Sequence, residues 1–169
     1  MSRTSDRTDG ARNVLHLDRR LIGGWHSAPF DVGAMETSGL VFLADGRGWS
    51  RFESISSELG VSRFRWHCPD AGVLEMRHTW QVDGHWGSGD GFAAVDSSGP
   101  DDEVVRTGYR IGPETPPYGA GPVDTLVLDR AVAFTTTYAR GQRTVSTADD
   151  PSAAVVPYTP APRPAPPRR

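Results

Sequence analysis

The sequence predicts an all-β fold, an antiparallel up-and-down β-barrel with a disordered N-terminus and a proline-rich C-terminal tail, on three observations. Residues 62–68 (SRFRWHC) and 74–82 alternate apolar and polar side chains, the two-residue period of a half-buried strand. Turn formers punctuate the strand candidates, as at Asp45-Gly46-Arg47-Gly48 and Pro69-Asp70-Ala71-Gly72. No stretch carries an apolar stripe at the helical period of roughly 3.6 residues, and residues 55–61 could hold one helical turn at most.

Taken in order, residues 20–26 form the first strand and residues 38–44 (SGLVFLA) the second, which stops at the glycine-rich turn. The next strand covers residues 49–55. A three-residue loop with Gly48 in a bulge sets Phe42 opposite Ser50 and Leu40 opposite Phe52. The two alternating segments make a second hairpin, with Trp66 opposite Leu74 and Arg65 opposite Glu75, a favourable charge pair on the wet face. Residues 83–102 are rich in Gly, Ser and Asp and read as a long loop or a weak strand between loops. Strand signals return at residues 103–111, 123–128 and 131–138, and the connection 112–122 holds too much Pro and Gly for a helix. Seven or eight strands joined to their sequence neighbours close as a barrel or pack as a sandwich, and closure removes the exposed edges.

The expected domain spans residues 14–147. Residues 1–13 are polar and aperiodic, a disordered lead-in, and residues 148–169 hold seven of the fourteen prolines, a disordered tail that favours polyproline II. A net charge of −3 gives no field to draw the molecule onto phosphate, so nucleic acid and anionic membranes are not expected partners. The single cysteine, Cys68, excludes an intramolecular disulfide, and the polar N-terminus lacks the apolar segment of a secretory signal. A cytoplasmic location is expected. All 18 basic residues are arginine, a bias that fits a GC-rich genome.

Gly23-x-Trp25 opens this meander, and in it the sequence resembles the lipocalin and calycin group of small β-barrels. The resemblance implies that Trp25 closes one end of the barrel beneath an arginine donated from just after the last strand, here Arg140 or Arg143. It covers residues 21–143 in strand pattern and only a few residues in motif. The Thr-Asp-Tyr motif of that family is absent from residues 112–122. Related intracellular barrels bind haem through a histidine near the C-terminus, whereas the last histidine here is His85, so no cofactor is expected.

Strand parity places Trp25, Phe42, Phe64, Trp66, Met76, His78, Trp80, Tyr109 and Phe134 on the inner face, where they could line a pocket for an apolar small molecule or fill the interior completely. The expected function is a non-catalytic carrier or sensor, with His78 and Tyr109 orienting the ligand. One alternative is an isomerase or cyclase acting on an apolar natural product, with His78 as acid or base. Another is a protein-interaction module with a packed core, using the outward Arg63, Arg65 and Arg77 or the proline tail. Cys68 and His67 point to opposite faces and do not form a nucleophile pair, and His67, His78 and His85 lack the spacing of a metal site. No metal is expected, and the sequence leaves the oligomeric state open.

Overall fold

In a computed structural model describing residues 15–159, the chain forms an antiparallel β-barrel with almost no helix, compatible with a lipocalin-like fold. The strands are β1 (Gly23–His26), β2 (Glu36–Phe42), β3 (Arg47–Ser54), β4 (Glu58–Asp70), β5 (Val73–Trp86), β6 (Phe92–Pro100), β7 (Val104–Glu114), β8 (Val123–Val132) and β9 (Thr135–Arg140). β6 and β7 lie end to end along β5, Pro100 opposite Trp80 and Val104 opposite Arg77, so they act as one stave and the barrel has eight. Each stave pairs with its sequence neighbour. β1 then closes the circle onto β9 through Trp25 opposite Arg140 and His26 opposite Ala139.

The up-and-down order puts the β2–β3, β4–β5 and β7–β8 connections at one end and the β3–β4, β5–β6 and β8–β9 turns at the other. The first end is closed. Arg140 lays its guanidinium 3.6 Å from the centre of the Trp25 ring and donates to Ile22 O at 3.1 Å and to Arg20 O, while the indole N–H donates to Leu21 O at 2.8 Å. A planar cation on an indole face suits this position because it stacks and bridges carbonyls at once. Leu21, Phe42, Phe64, Trp66, Met76 and Leu126 pack above this plug with almost no exposure. Burying each large apolar side chain contributes roughly 1.5–3 kcal/mol.

Three expectations about register are corrected. Phe42 lies opposite Gly48 and Leu40 opposite Ser50, because Gly46, at φ 84°, takes the left-handed position of the turn and pairing continues up to it. Gly48 instead gives room: a Cβ there would run into the Phe64 ring. In the second hairpin Trp66 lies opposite Met76 and Arg65 opposite Arg77, because the chain turns at Ala71-Gly72 with Asp70 opposite Val73, and an irregularity between His67 and Asp70 then shifts the register by one residue. Glu75 therefore meets His67. The third correction is a bulge at Thr79: Phe64 pairs with His78 while Arg63 pairs with Trp80, leaving Thr79 unopposed, its hydroxyl donating to Arg63 O at 3.3 Å. Beyond Thr79 the inward parity of β5 changes from even to odd residues, so Trp80 faces outward and does not share the interior with Phe64, Trp66 and His78.

The stretch 83–102 is largely strand, β5 running on to Trp86 and β6 returning beside it. Sequence periodicity fails there because neither face of β6 meets the main core.

The expected disorder from residue 148 onward is corrected for residues 148–159, whereas 160–169, like the lead-in 1–13, lie outside the described residues. Two short 3-10 turns, Thr147–Asp149 and Pro151–Ala154, carry the chain across the outer face of the barrel. A second apolar cluster of Leu43, Trp49, Leu59 and Val61 lies on that face, with Val145 against it. Asp150 is fully buried there and accepts from Arg63 Nε at 2.9 Å, Ser152 N at 2.8 Å, Ser152 Oγ at 2.7 Å and the Tyr158 hydroxyl. The Tyr158 ring covers the Arg63 guanidinium at 3.9 Å. Arg63 is thus part of a buried ion pair rather than of an exposed basic strip; Arg65 and Arg77 remain exposed.

Removing one member of such a pair strands the other charge without water. Asp150→Ala is expected to lower unfolding free energy by about 3 kcal/mol in urea titrations, and the double change Arg63→Met, Asp150→Leu to recover most of that loss. Equal destabilisation by both variants would show that strap packing, rather than the charge pair, sets the cost.

Candidate functional site

The end opposite the Trp25 plug is open, and a cleft of about 490 Å³ lies in its mouth. Its apolar wall is Phe52 of β3, Val105 of β7, Val132 of β8 and Phe134 of the β8–β9 turn. Its polar floor is Ser50, Ser62, His78 and Gln81, and Asp83, Asp101 and Glu103 stand along one side. The Thr79 bulge assembles this set. It lets His78 end one inward run and Gln81 and Asp83 begin the next, so the floor passes from aromatic core to polar mouth within one strand.

His78 is 6% exposed. Its Nδ1 shares a hydrogen bond with Ser62 Oγ at 2.5 Å, and its ring stands edge-on to Phe64 at 5.8 Å between centres. Among the described residues Nε2 has no hydrogen-bond partner, and it is not sealed from solvent, since the ring borders the cleft. Burial pushes the imidazole below the ordinary histidine value, against the pull of Asp101 and Glu103, so it is neutral near pH 7. The floor therefore presents one uncharged ring nitrogen to whatever enters.

The rim has an unusual backbone. Val132 pairs with Thr135 across a two-residue turn, and both turn residues, Ala133 (φ 47°) and Phe134 (φ 75°), occupy the left-handed region. Positive φ at both positions suits Asn-Gly far better than Ala-Phe. The strain holds Phe134 80% exposed with its ring 5.1 Å from that of Phe52. Strained backbone and exposed aromatic surface coincide at functional sites more often than elsewhere.

Of the residues expected to line a pocket, Trp25, Phe42, Phe64, Trp66 and Met76 are packed into one core with His78 at its upper boundary. Phe134 borders the cleft from its rim. Trp80 lies on the outside, donating from its indole N–H to Ser98 Oγ at 2.9 Å. Tyr109 sits toward the closed end, half-buried, donating to Asp18 at 2.7 Å and contacting Cys68 Sγ at 3.5 Å; burial raises its hydroxyl well above the usual tyrosine value. It is distant in the fold from the cleft and cannot orient a ligand beside His78. Sequence reasoning missed Phe52, Ser62, Asp101 and Glu103. Ser62 shares inward parity with Phe64 and Trp66 and could have been found from that; Asp101 and Glu103 lie at the β6–β7 junction, which has no periodic signal.

Among the described residues no group of three His, Cys, Asp or Glu side chains is placed to hold a metal ion, and no helix is long and apolar enough to cross a membrane. No protein-family model, curated protein or solved structure matches the chain.

Two outcomes follow from this geometry. Unfolded His78 takes up its proton near pH 6.5 and the folded residue only at lower pH, so stability should fall as pH drops below about 6.5 and be unaffected above it. Melting temperature measured from pH 7.5 downward, at about half-unit steps, should show a shallower acid slope in His78→Gln than in the native chain. Replacing the strained turn by Ala133→Asn with Phe134→Gly should raise stability by about 1 kcal/mol in thermal melts. An unchanged or lower melting temperature would mean that Phe134–Phe52 packing outweighs the backbone strain.

Proposed function

We propose that this barrel binds a small molecule with an apolar body in the mouth cleft above His78, as a non-catalytic carrier or sensor. The observation that carries this reading is the His78 side chain: more than nine-tenths buried, held through Nδ1 by Ser62, and with Nε2 facing a roomy cleft. A ligand that covers the cleft takes Nε2 out of water, so a ligand group that hydrogen-bonds Nε2 avoids the cost of about 1–3 kcal/mol that an unpaired buried nitrogen would carry. Phe52, Val105, Val132 and Phe134 supply apolar surface for the rest of the molecule. Ligand sites commonly combine such walls with a few fixed polar groups.

The ligand sits at the mouth rather than deep between the inner aromatics, since Phe42, Phe64, Trp66 and Met76 already fill that space against one another. Burying some 200 Å² of apolar ligand surface at about 25 cal/mol per Å² supplies roughly 5 kcal/mol, which with one hydrogen bond of about 1 kcal/mol corresponds to a dissociation constant on the order of tens of micromolar.

Titration with a neutral solvatochromic dye such as Nile red tests the reading. Saturable emission is expected for the native chain and its loss in Gln81→Trp, which projects an indole into the cleft while leaving the strand intact. Dye binding that is absent from the native chain, or that survives Gln81→Trp unchanged, would reject the mouth as the binding site.

A further inference from the structure

We infer that the mouth cleft is selective for a cation: its ligand carries an ammonium group on an apolar body. This rests on the reading that the cleft is a ligand site, and it adds the chemical class.

Charge at the cleft is one-sided. Asp83, Asp101 and Glu103 border it, and no arginine is among the residues that line it. Among the described residues the one arginine within 4 Å of any of these three carboxylates is Arg130, 3.9 Å from Glu103, with both side chains more than half exposed. At that distance and exposure the pair is worth little, and it leaves Asp83 and Asp101 uncompensated by arginine. Asp83 is held in place by Gln81 Nε2 at 2.8 Å and Ser97 Oγ at 3.4 Å, and Asp101 accepts from the Glu103 amide at 3.0 Å. These donors are neutral. They fix the carboxylates without cancelling their charge.

His78 gives an independent pointer. In the neutral imidazole one nitrogen is a donor and the other an acceptor. If Nδ1–H donates to Ser62 Oγ, Nε2 offers its lone pair at the floor of the cleft, where an ammonium N–H satisfies it and a carboxylate cannot. The aromatic rim completes the set. Phe52 and Phe134 pack against each other at the entrance, and an aromatic ring face attracts a cation by about 0.5–2 kcal/mol depending on desolvation. Carboxylates on one side, an acceptor nitrogen in the floor and aromatic faces at the rim suit an amine with a hydrocarbon or aryl body.

Three probes of one length and different head groups separate the alternatives: octylammonium, octanol and octanoate, titrated calorimetrically into the full chain at neutral pH and low salt. Octylammonium should bind about tenfold or more tightly than octanol, and octanoate most weakly. In Asp101→Asn with Glu103→Gln the ammonium preference should shrink to less than about threefold while octanol binding stays unchanged. Since both positions are at least partly exposed, the variant is expected to fold, and an unchanged far-ultraviolet spectrum and melting transition would verify it. Equal binding of all three probes, tighter octanoate binding, or an ammonium preference that survives the double variant would overturn the cation assignment and leave the mouth as a ligand site. Nile red binding that is blocked by Gln81→Trp, together with no detectable binding of octylammonium, would overturn the assignment in the same way. If neither dye nor any probe binds, both readings fall together.

Discussion

The structure depends on one closure. β1 is four residues long and meets β9 through two residue pairs, yet that seam turns an open sheet into a barrel. Two pairs of strand contacts are a weak weld, and the Arg140–Trp25 stack reinforces it from inside. The guanidinium lies on the indole while Nη1 and Nη2 donate to the carbonyls of Ile22 and Arg20, so the last strand, the first strand and the segment before it are tied at one point. Only with the seam shut do Leu40, Phe42, Phe64, Trp66, Leu74 and Leu126 face a common interior. A sheet left open at β1 would expose that face and two unpaired edges.

Closure also decides where chemistry can occur. The plug and the aromatic layer above it consume the lower interior, leaving the opposite mouth as the part of the barrel with room. The Thr79 bulge then converts a strand that would have continued an aromatic face into one that brings Gln81 and Asp83 inward and turns Trp80 out. A single extra residue thus separates a packed core from a polar cleft. His78 sits at that boundary, with the Phe64 ring beside it and the cleft beyond.

The C-terminal strap solves a different problem. Strands β2 to β4 bear apolar residues on both faces, Val41, Trp49, Leu59 and Val61 pointing away from the barrel interior. Left bare, that outer patch would favour association with other chains. The strap covers part of it and brings Asp150 to neutralise Arg63, an arginine that strand parity alone would have left in solvent.

Strand content, the two long hairpins and the inward parity of Leu40, Phe42, Phe64, Trp66, Leu74 and Met76 could be read directly from the chain, because alternation along a strand is a local property that a half-buried sheet imposes on its sequence. Trp25 was legible as the closing residue through the resemblance carried by Gly23 and Trp25, which left its partner as Arg140 or Arg143; the structure places Arg140 on the indole. What the sequence did not disclose is nonlocal. Register depends on where a turn places its left-handed residue, so Gly46 rather than Gly48 moved Phe42 by two positions against its partner. The Thr79 bulge leaves no mark in hydrophobic periodicity, since Trp80 and Val82 are as apolar outside as they would be within. The ordered strap reads as a low-complexity tail because its main anchor is one buried carboxylate rather than an apolar stripe. His78 could be placed on the inner face by parity, but whether that face was filled or hollow was a matter of volume, and volume belongs to the closed barrel and not to any segment of the chain.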